Sequence, residues 1–154
     1  MPNTLSVTVR PATAADLPEV HRMLIALAAH QGRAATITPP VLERIALRGR
    51  AARLLVAQRT DSPQRHPVGY ALMLMGRNMV AGADWGFVEQ LYVQEPDRKS
   101  GIGRKLLAVA REMAAEAGCA GVTVSSRAET DGSALGYRAL GLDLAELEPR
   151  FAAE

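Results

Sequence analysis

Leu5-Ser6-Val7-Thr8-Val9 alternates apolar and polar positions, which predicts a first strand that Pro11 stops. Thr13-Ala14-Ala15-Asp16 reads as a capping box with aspartate in the glutamate position. Leu17, Val20, Leu24, Leu27 and Ala28 then recur at helical spacing until Gln31-Gly32. Thr38-Pro39, a cap followed by a first-turn proline, opens a second helix with Val41, Leu42 and Ile45 on one side, and Gly49 closes it. Residues 53–57 and 68–75 read as strands joined by a polar loop from Asp61 to Pro67. Gly76 to Asp84 has two glycines and no periodicity, so it reads as a second loop, placed to reach a substrate.

The strongest strand signal is Trp85 to Val93, which holds three of the six aromatic residues in the chain. Strict alternation would put Trp85, Phe87, Glu89, Leu91 and Val93 on one face. Gln94-Glu95-Pro96 ends the strand. Ile102, Leu106, Val109, Ala110, Met113 and Ala117 then form the stripe of a long helix that Gly118 ends. Val122 to Ser125 reads as a short strand, residues 126–132 as a polar connection, 133–140 as a short helix and 142–147 as a last strand. The predicted order is β-α-α-β-β-β-α-β-α-β. That is a three-layer α/β fold, a mixed central sheet with helices on both faces.

Composition narrows the picture. The 154 residues support a single domain over 1–154, with 48% hydrophobic and 22% charged residues. A net charge of +2 gives no footprint for a nucleic-acid partner. No apolar run reaches the ~20 residues of a membrane span. The N-terminus lacks a signal-peptide layout and Cys119 is the lone cysteine, so a cytoplasmic setting is expected. His21, His30 and His66 have no carboxylate spacing that builds a metal site, and no metal is expected.

Both lysines of the chain, Lys99 and Lys105, lie with Arg98 and Arg104 around the start of the long helix. The helix dipole favours anions there, so four cations oppose it. Gly101 and Gly103 would let backbone N–H groups approach a ligand closely, which suits an anion cradle. A solvated basic turn is the alternative reading of the same residues.

Arg98-x-x-Gly101-x-Gly103, after a strand ending Leu91-Tyr92-Val93, resembles the acetyl-CoA motif [Q/R]-x-x-G-x-[G/A] of the GNAT-type N-acetyltransferase superfamily. Gly136-Tyr137-Arg138-Ala139-Leu140-Gly141-Leu142 resembles that family's downstream signature, FYxxxG[F/A]. The resemblance implies a GNAT-like fold in which the central strand and the strand after the long helix splay apart to admit coenzyme A. It implies acetyl-CoA as cosubstrate, held by Leu91, Tyr92, Val93, Arg98, Lys99, Ser100, Gly101, Ile102, Gly103 and Arg104, with Thr130 and Tyr137 contributing from downstream. Thr130 stands where the family usually has asparagine, and Gly136 where it has an aromatic residue.

The resemblance also implies roles for two catalytic candidates. Glu89 takes the position of a glutamate proposed as general base or amine contact; as a lone carboxylate among apolar neighbours it is otherwise a partner for one of the sixteen arginines. Tyr137 takes the position of the tyrosine that protonates the leaving thiolate, or is a core tyrosine. The Glu89 strand and Leu27-Ala28-Ala29-His30-Gln31-Gly32 resemble small-amine, diamine or polyamine-like members, although Gln90 replaces their second acid. The expected partner is therefore a small-molecule amine, with aminoglycosides, amino acids and protein N-termini or lysines left open and a homodimer expected from the family's habit. A non-catalytic acyl-CoA-binding module and a basic nucleic-acid-binding domain are the rival readings.

Overall fold

The computed structural model describes residues 6–61, 63, 66–125 and, for the backbone, 143–145. The elements are β1 (Val7–Pro11), α1 (Leu17–His30), α2 (Pro39–Glu43), β2 (Ala52–Arg59), β3 (Pro67–Asn78), β4 (Ala83–Val93), α3 (Ile102–Glu116), β5 (Gly121–Ser125) and β6 (Asp143–Ala145). They make one six-stranded sheet whose spatial order follows the chain. β1 to β4 pair antiparallel, while β4–β5 and β5–β6 pair parallel. The sheet is mixed because α3 carries the chain back across before β5. The last strand, expected over 142–147, is β6. The helix expected over 133–140 lies outside the described residues.

Helices cover both faces. Leu55, Ala57, Ala71, Met73, Val88, Leu91, Val93, Val122 and Val124 meet Ile102, Leu106, Leu107, Ala110 and Ala114 of α3 in one buried cluster. Leu54, Val56 and Tyr70 meet Leu17, Val20, Met23, Leu24 and Leu27 of α1 and Leu42 of α2 in the other. β2 contributes to both, which explains its unbroken apolar run. The capping box forms, with Thr13 N–H donating to Asp16 Oδ2 at 2.8 Å. Asp16 also takes two bonds from Arg10, at 2.6 and 2.9 Å. Among the described residues no helix is long and apolar enough to cross a membrane.

Three expectations are corrected. The second helix does not keep one pitch: it widens to a π turn over Arg44–Arg48, so Ala46 faces in beside Leu42 while Ile45 is 41% exposed. Gly76 to Asp84 is no loop, because the ladder continues through Gly76↔Trp85, Arg77↔Asp84 and Asn78↔Ala83. Asn78 closes that turn, its Oδ1 accepting from Val80 and Ala81 N–H at 3.0 Å each. Finally, alternation along β4 breaks. Leu72 pairs with Gln90 but Met73 with Val88, which leaves Glu89 as the extra residue of a β-bulge. Leu91 and Val93 therefore join Val88 in the α3 core rather than Trp85 and Phe87.

Candidate functional site

The bulge divides β4. Trp85 to Val88 pair with Gly121 to Val124 of β5, and there the pairing stops. Beyond it, Gln94 N–H donates to Val68 O at 2.8 Å, so ladder alternation turns the backbone groups of Tyr92 and Gln90 toward β3. Those of Leu91 and Val93 point to the opposite edge, where no strand among the described residues meets them. One is taken: Arg98 Nε donates to Val93 O at 2.7 Å. The N–H groups of Leu91 and Val93 find no acceptor among the described residues, and an unpaired strand edge inside a fold is a ready docking line for an extended ligand.

The chain leaves β4 through a single turn at Glu95–Asp97 and enters α3 at Ile102. Two residues in between are left-handed: Lys99 at φ 61° and Gly101 at φ 89°. Glycine suits the second, since a Cβ is strained there. Lys105 N–H is the first α3 amide to find a carbonyl, Gly101 O at 3.0 Å. The amides of Ile102, Gly103 and Arg104 thus donate to none among the described residues, as helix starts require. No side chain among the described residues caps them. Three converging N–H donors at the positive end of a 15-residue helix fit a phosphate.

The side chains of this loop split into anchors and exposed charges. The Arg98 guanidinium lies over the Tyr92 ring, 5.3 Å from its centroid, besides bonding Val93. Ser100 Oγ donates to Asp97 O. Asp97 in turn accepts from Arg59 Nη1 at 2.7 Å, while the same guanidinium holds Asp61 at 2.8 Å. Lys99 and Arg104 are exposed. Lys105, grouped with the cradle by sequence, instead reaches back to Val7 O on β1. The first amides of a helix point along its axis while side chains project sideways, so a first-turn lysine can reach a neighbouring strand instead, which neighbourhood in sequence hides. Arg59 was missed because nothing local marks an arginine at a strand end as the partner of a loop 38 residues on.

Val88 and Leu91 both face α3, so the two residues between them, Glu89 and Gln90, turn to the other side together. Glu89 is exposed and makes no hydrogen bond or ion pair among the described residues, so no described arginine claims it. Gln90 Oε1 accepts from the Tyr70 hydroxyl at 2.9 Å. Tyr70 is 0% exposed. Burial first, and then the neighbouring Tyr92, push its hydroxyl far above the ordinary phenol range, so it stays a donor. Tyr137 and Thr130 lie outside the described residues.

The remaining candidates have structural work. His21 Nε2 donates to Ile37 O at 2.8 Å, pinning the α1–α2 connection. Cys119 packs at the margin of the α3 core, and burial raises its thiol pKa. Among the described residues no three His, Cys, Asp or Glu side chains gather as metal ligands.

Comparison with known proteins accords with this arrangement. The family model described as "Acetyltransferase (GNAT) family" matches residues 22–142. No curated protein matches the chain in sequence. Among solved structures, an acetyltransferase of Trypanosoma brucei superposes with a TM-score of 0.66 at 23% identity, over 92% of this chain and 96% of that one. Glucosamine-6-phosphate N-acetyltransferase of Arabidopsis thaliana gives 0.65 at 14%, over 92% and 95%. An aminoglycoside acetyltransferase from an uncultured soil sample, solved with sisomicin, gives 0.62 at 18%, over 88% and 84%. At such identities the likeness is one of fold.

Proposed function

Since the chain belongs to the GNAT acetyltransferase family, we propose that it moves an acetyl group from acetyl-CoA to a primary amine of a small molecule by direct attack in a ternary complex. The observation that carries this is the half of β4 that meets no second strand among the described residues, followed by three α3 amides that find no acceptor among them. Ile102, Gly103 and Arg104 N–H would hold the pyrophosphate, with Gly101 letting the loop turn under it and Lys99 and Arg104 adding charge. Arg98 and Ser100 keep the loop in that shape. Leu91, Tyr92 and Val93 would run beside the pantetheine arm. The cosubstrate supplies the activated acyl thioester; the N–H groups of Leu91 and Val93 are aimed where a carbonyl oxygen gains charge.

Glu89, exposed at the bulge and unpaired among the described residues, takes the amine proton, directly or through water. Tyr137 gives the departing thiolate its proton and Thr130 bonds the cofactor; both assignments rest on the family signature. The diamine or polyamine branch gains no support, because Gln90 is neutral and committed to Tyr70. A homodimer in a cytoplasmic setting completes the proposal, and light scattering at micromolar concentration tests the first of these.

A screen of primary amines with acetyl-CoA, read by release of the CoA thiol, tests the function. Turnover that falls ~10²-fold in kcat for Tyr137→Phe, with acetyl-CoA affinity kept, supports the acid. For Glu89→Gln, a loss in kcat/KM greatest at low pH, where the amine is mostly protonated, supports the base; a raised KM alone makes Glu89 an anchor. Acetyl-CoA binding without turnover of any amine, protein amines included, would reduce the chain to an acyl-CoA-binding module.

A further inference from the structure

The β4 bulge sets a carboxylate and a carboxamide side by side on the face away from α3. On that face Glu89 is exposed and Gln90 half-buried, within reach of an acceptor, whereas the opposite face is sealed by Leu106, Leu107 and Ala110. Tyr70 decides how the carboxamide is turned. Its buried hydroxyl finds one partner among the described residues, Gln90 Oε1 at 2.9 Å. The reverse orientation would give the hydroxyl a donor to face and leave its own proton unsatisfied in the core, which costs more than any neutral hydrogen bond returns. Gln90 Oε1 is therefore held against the core, and the two Nε2 protons are presented beside Glu89.

We propose that Gln90 is a specificity-determining residue. Its amide donors select acceptor amines that carry a carboxylate or carbonyl oxygen within a few bonds of the nitrogen, over bare diamines and polyamines. Glu89 meets the nitrogen end and Gln90 the oxygen end. The inference rests on the acetyltransferase reading above, and names the class of acceptor that reading leaves open. A polar group turned to donate disfavours a partner that cannot accept, since its donors would then go unmet once the acceptor excludes water. A second ammonium, the defining group of a diamine, brings only further donors to that position.

Matched pairs that differ by one carboxylate test it: lysine against cadaverine and ornithine against putrescine, with a short amidated peptide to separate free amino acids from chain N-termini. Initial rates of CoA release give kcat/KM for each, and calorimetry gives acetyl-CoA affinity. The wild-type protein should favour the oxygen-bearing member about five- to tenfold, the weight of one hydrogen bond. Gln90→Glu, which still accepts from Tyr70 but offers a carboxylate outward, should reverse the order. Tyr70→Phe, which frees the amide to rotate, should bring the ratio within about twofold with acetyl-CoA affinity unchanged. A wild-type preference for the diamines, or a ratio untouched by Gln90→Glu, overturns the assignment. So does a protein that binds acetyl-CoA but takes no oxygen-bearing amine, which leaves the cofactor site standing. Failure to bind acetyl-CoA at all overturns the acetyltransferase site itself.

Discussion

The two halves of β4 are one strand in sequence and two different surfaces in the fold. Trp85 to Val88 pair on both sides, with β3 and β5, and Gly86 is so enclosed that a Cβ would meet Met73 Sδ at 2.8 Å. Among the described residues Leu91 to Val93 pair with β3 alone, which leaves the N–H groups of Leu91 and Val93 without a strand partner there. Composition does not separate the halves, since both are apolar and aromatic. The difference comes from one inserted residue and from where the parallel partner ends. An edge kept open within a sheet is a liability unless something occupies it. Here it leads straight to the amides of α3, which gives the exposure a use.

The most direct way to break the comparison is to remove the inserted residue. Deleting Glu89 joins Val88 to Gln90 in the pairing they already have, so Leu91 and Val93 stay in the α3 core while the bulge and its carboxylate are lost. The ladder is regularised rather than unpacked, so stability read from the urea midpoint should shift by less than about 1 kcal/mol, while kcat/KM for the amine falls about 10²-fold with the carboxylate gone. A smaller and more selective blow falls at the far end of the open half. Gly103→Asp puts an anion where three amides converge, and acetyl-CoA affinity should fall at least tenfold, about 1.4 kcal/mol, with folding largely kept. Unchanged calorimetric affinity would sink the cradle.

Arg59 sharpens the contrast without touching the ligand line. Its ion pair neutralises and fixes Asp97, whose side chain is 11% exposed one residue before Arg98. Arg59→Gln should weaken acetyl-CoA about three- to fivefold with the amine KM unchanged. Adding Asp97→Asn should recover part of that loss by removing the stranded carboxylate; a double variant no better than the single one makes Arg59 a direct ligand instead.

The smallest effect belongs to the closed, N-terminal side. Burial alone would raise the Asp16 carboxyl, but bonds from Arg10 and Thr13 outweigh it and hold the pKa below its ordinary value. Its contribution is therefore complete above about pH 4 and is lost as pH falls through the lowered value. Asp16→Asn should cost about 1 kcal/mol at neutral pH, flatten the acid limb of the stability curve and leave acetyl-CoA binding unmoved.

Much of this was legible in the chain alone. Periodicity marks α1 and α3, Thr13 and Asp16 mark the capping box, and Arg98-x-x-Gly101-x-Gly103 marks the cradle, because each depends on residues within a turn or two of one another. Pairing is different. The hairpin through Gly76 to Asp84, the bulge at Glu89 and the partner of Arg59 depend on which residue of a distant strand lies opposite. One-residue register carries no local signal, yet it decides on which face every later side chain falls. The sequence by itself determined a cationic glycine turn between a strand and a helix. Only tertiary structure decided that the strand's edge stays open there, that Leu91 and Val93 leave the face of Glu89, and that Glu89 and Gln90 stand together, because a bulge exists only relative to its partner strand.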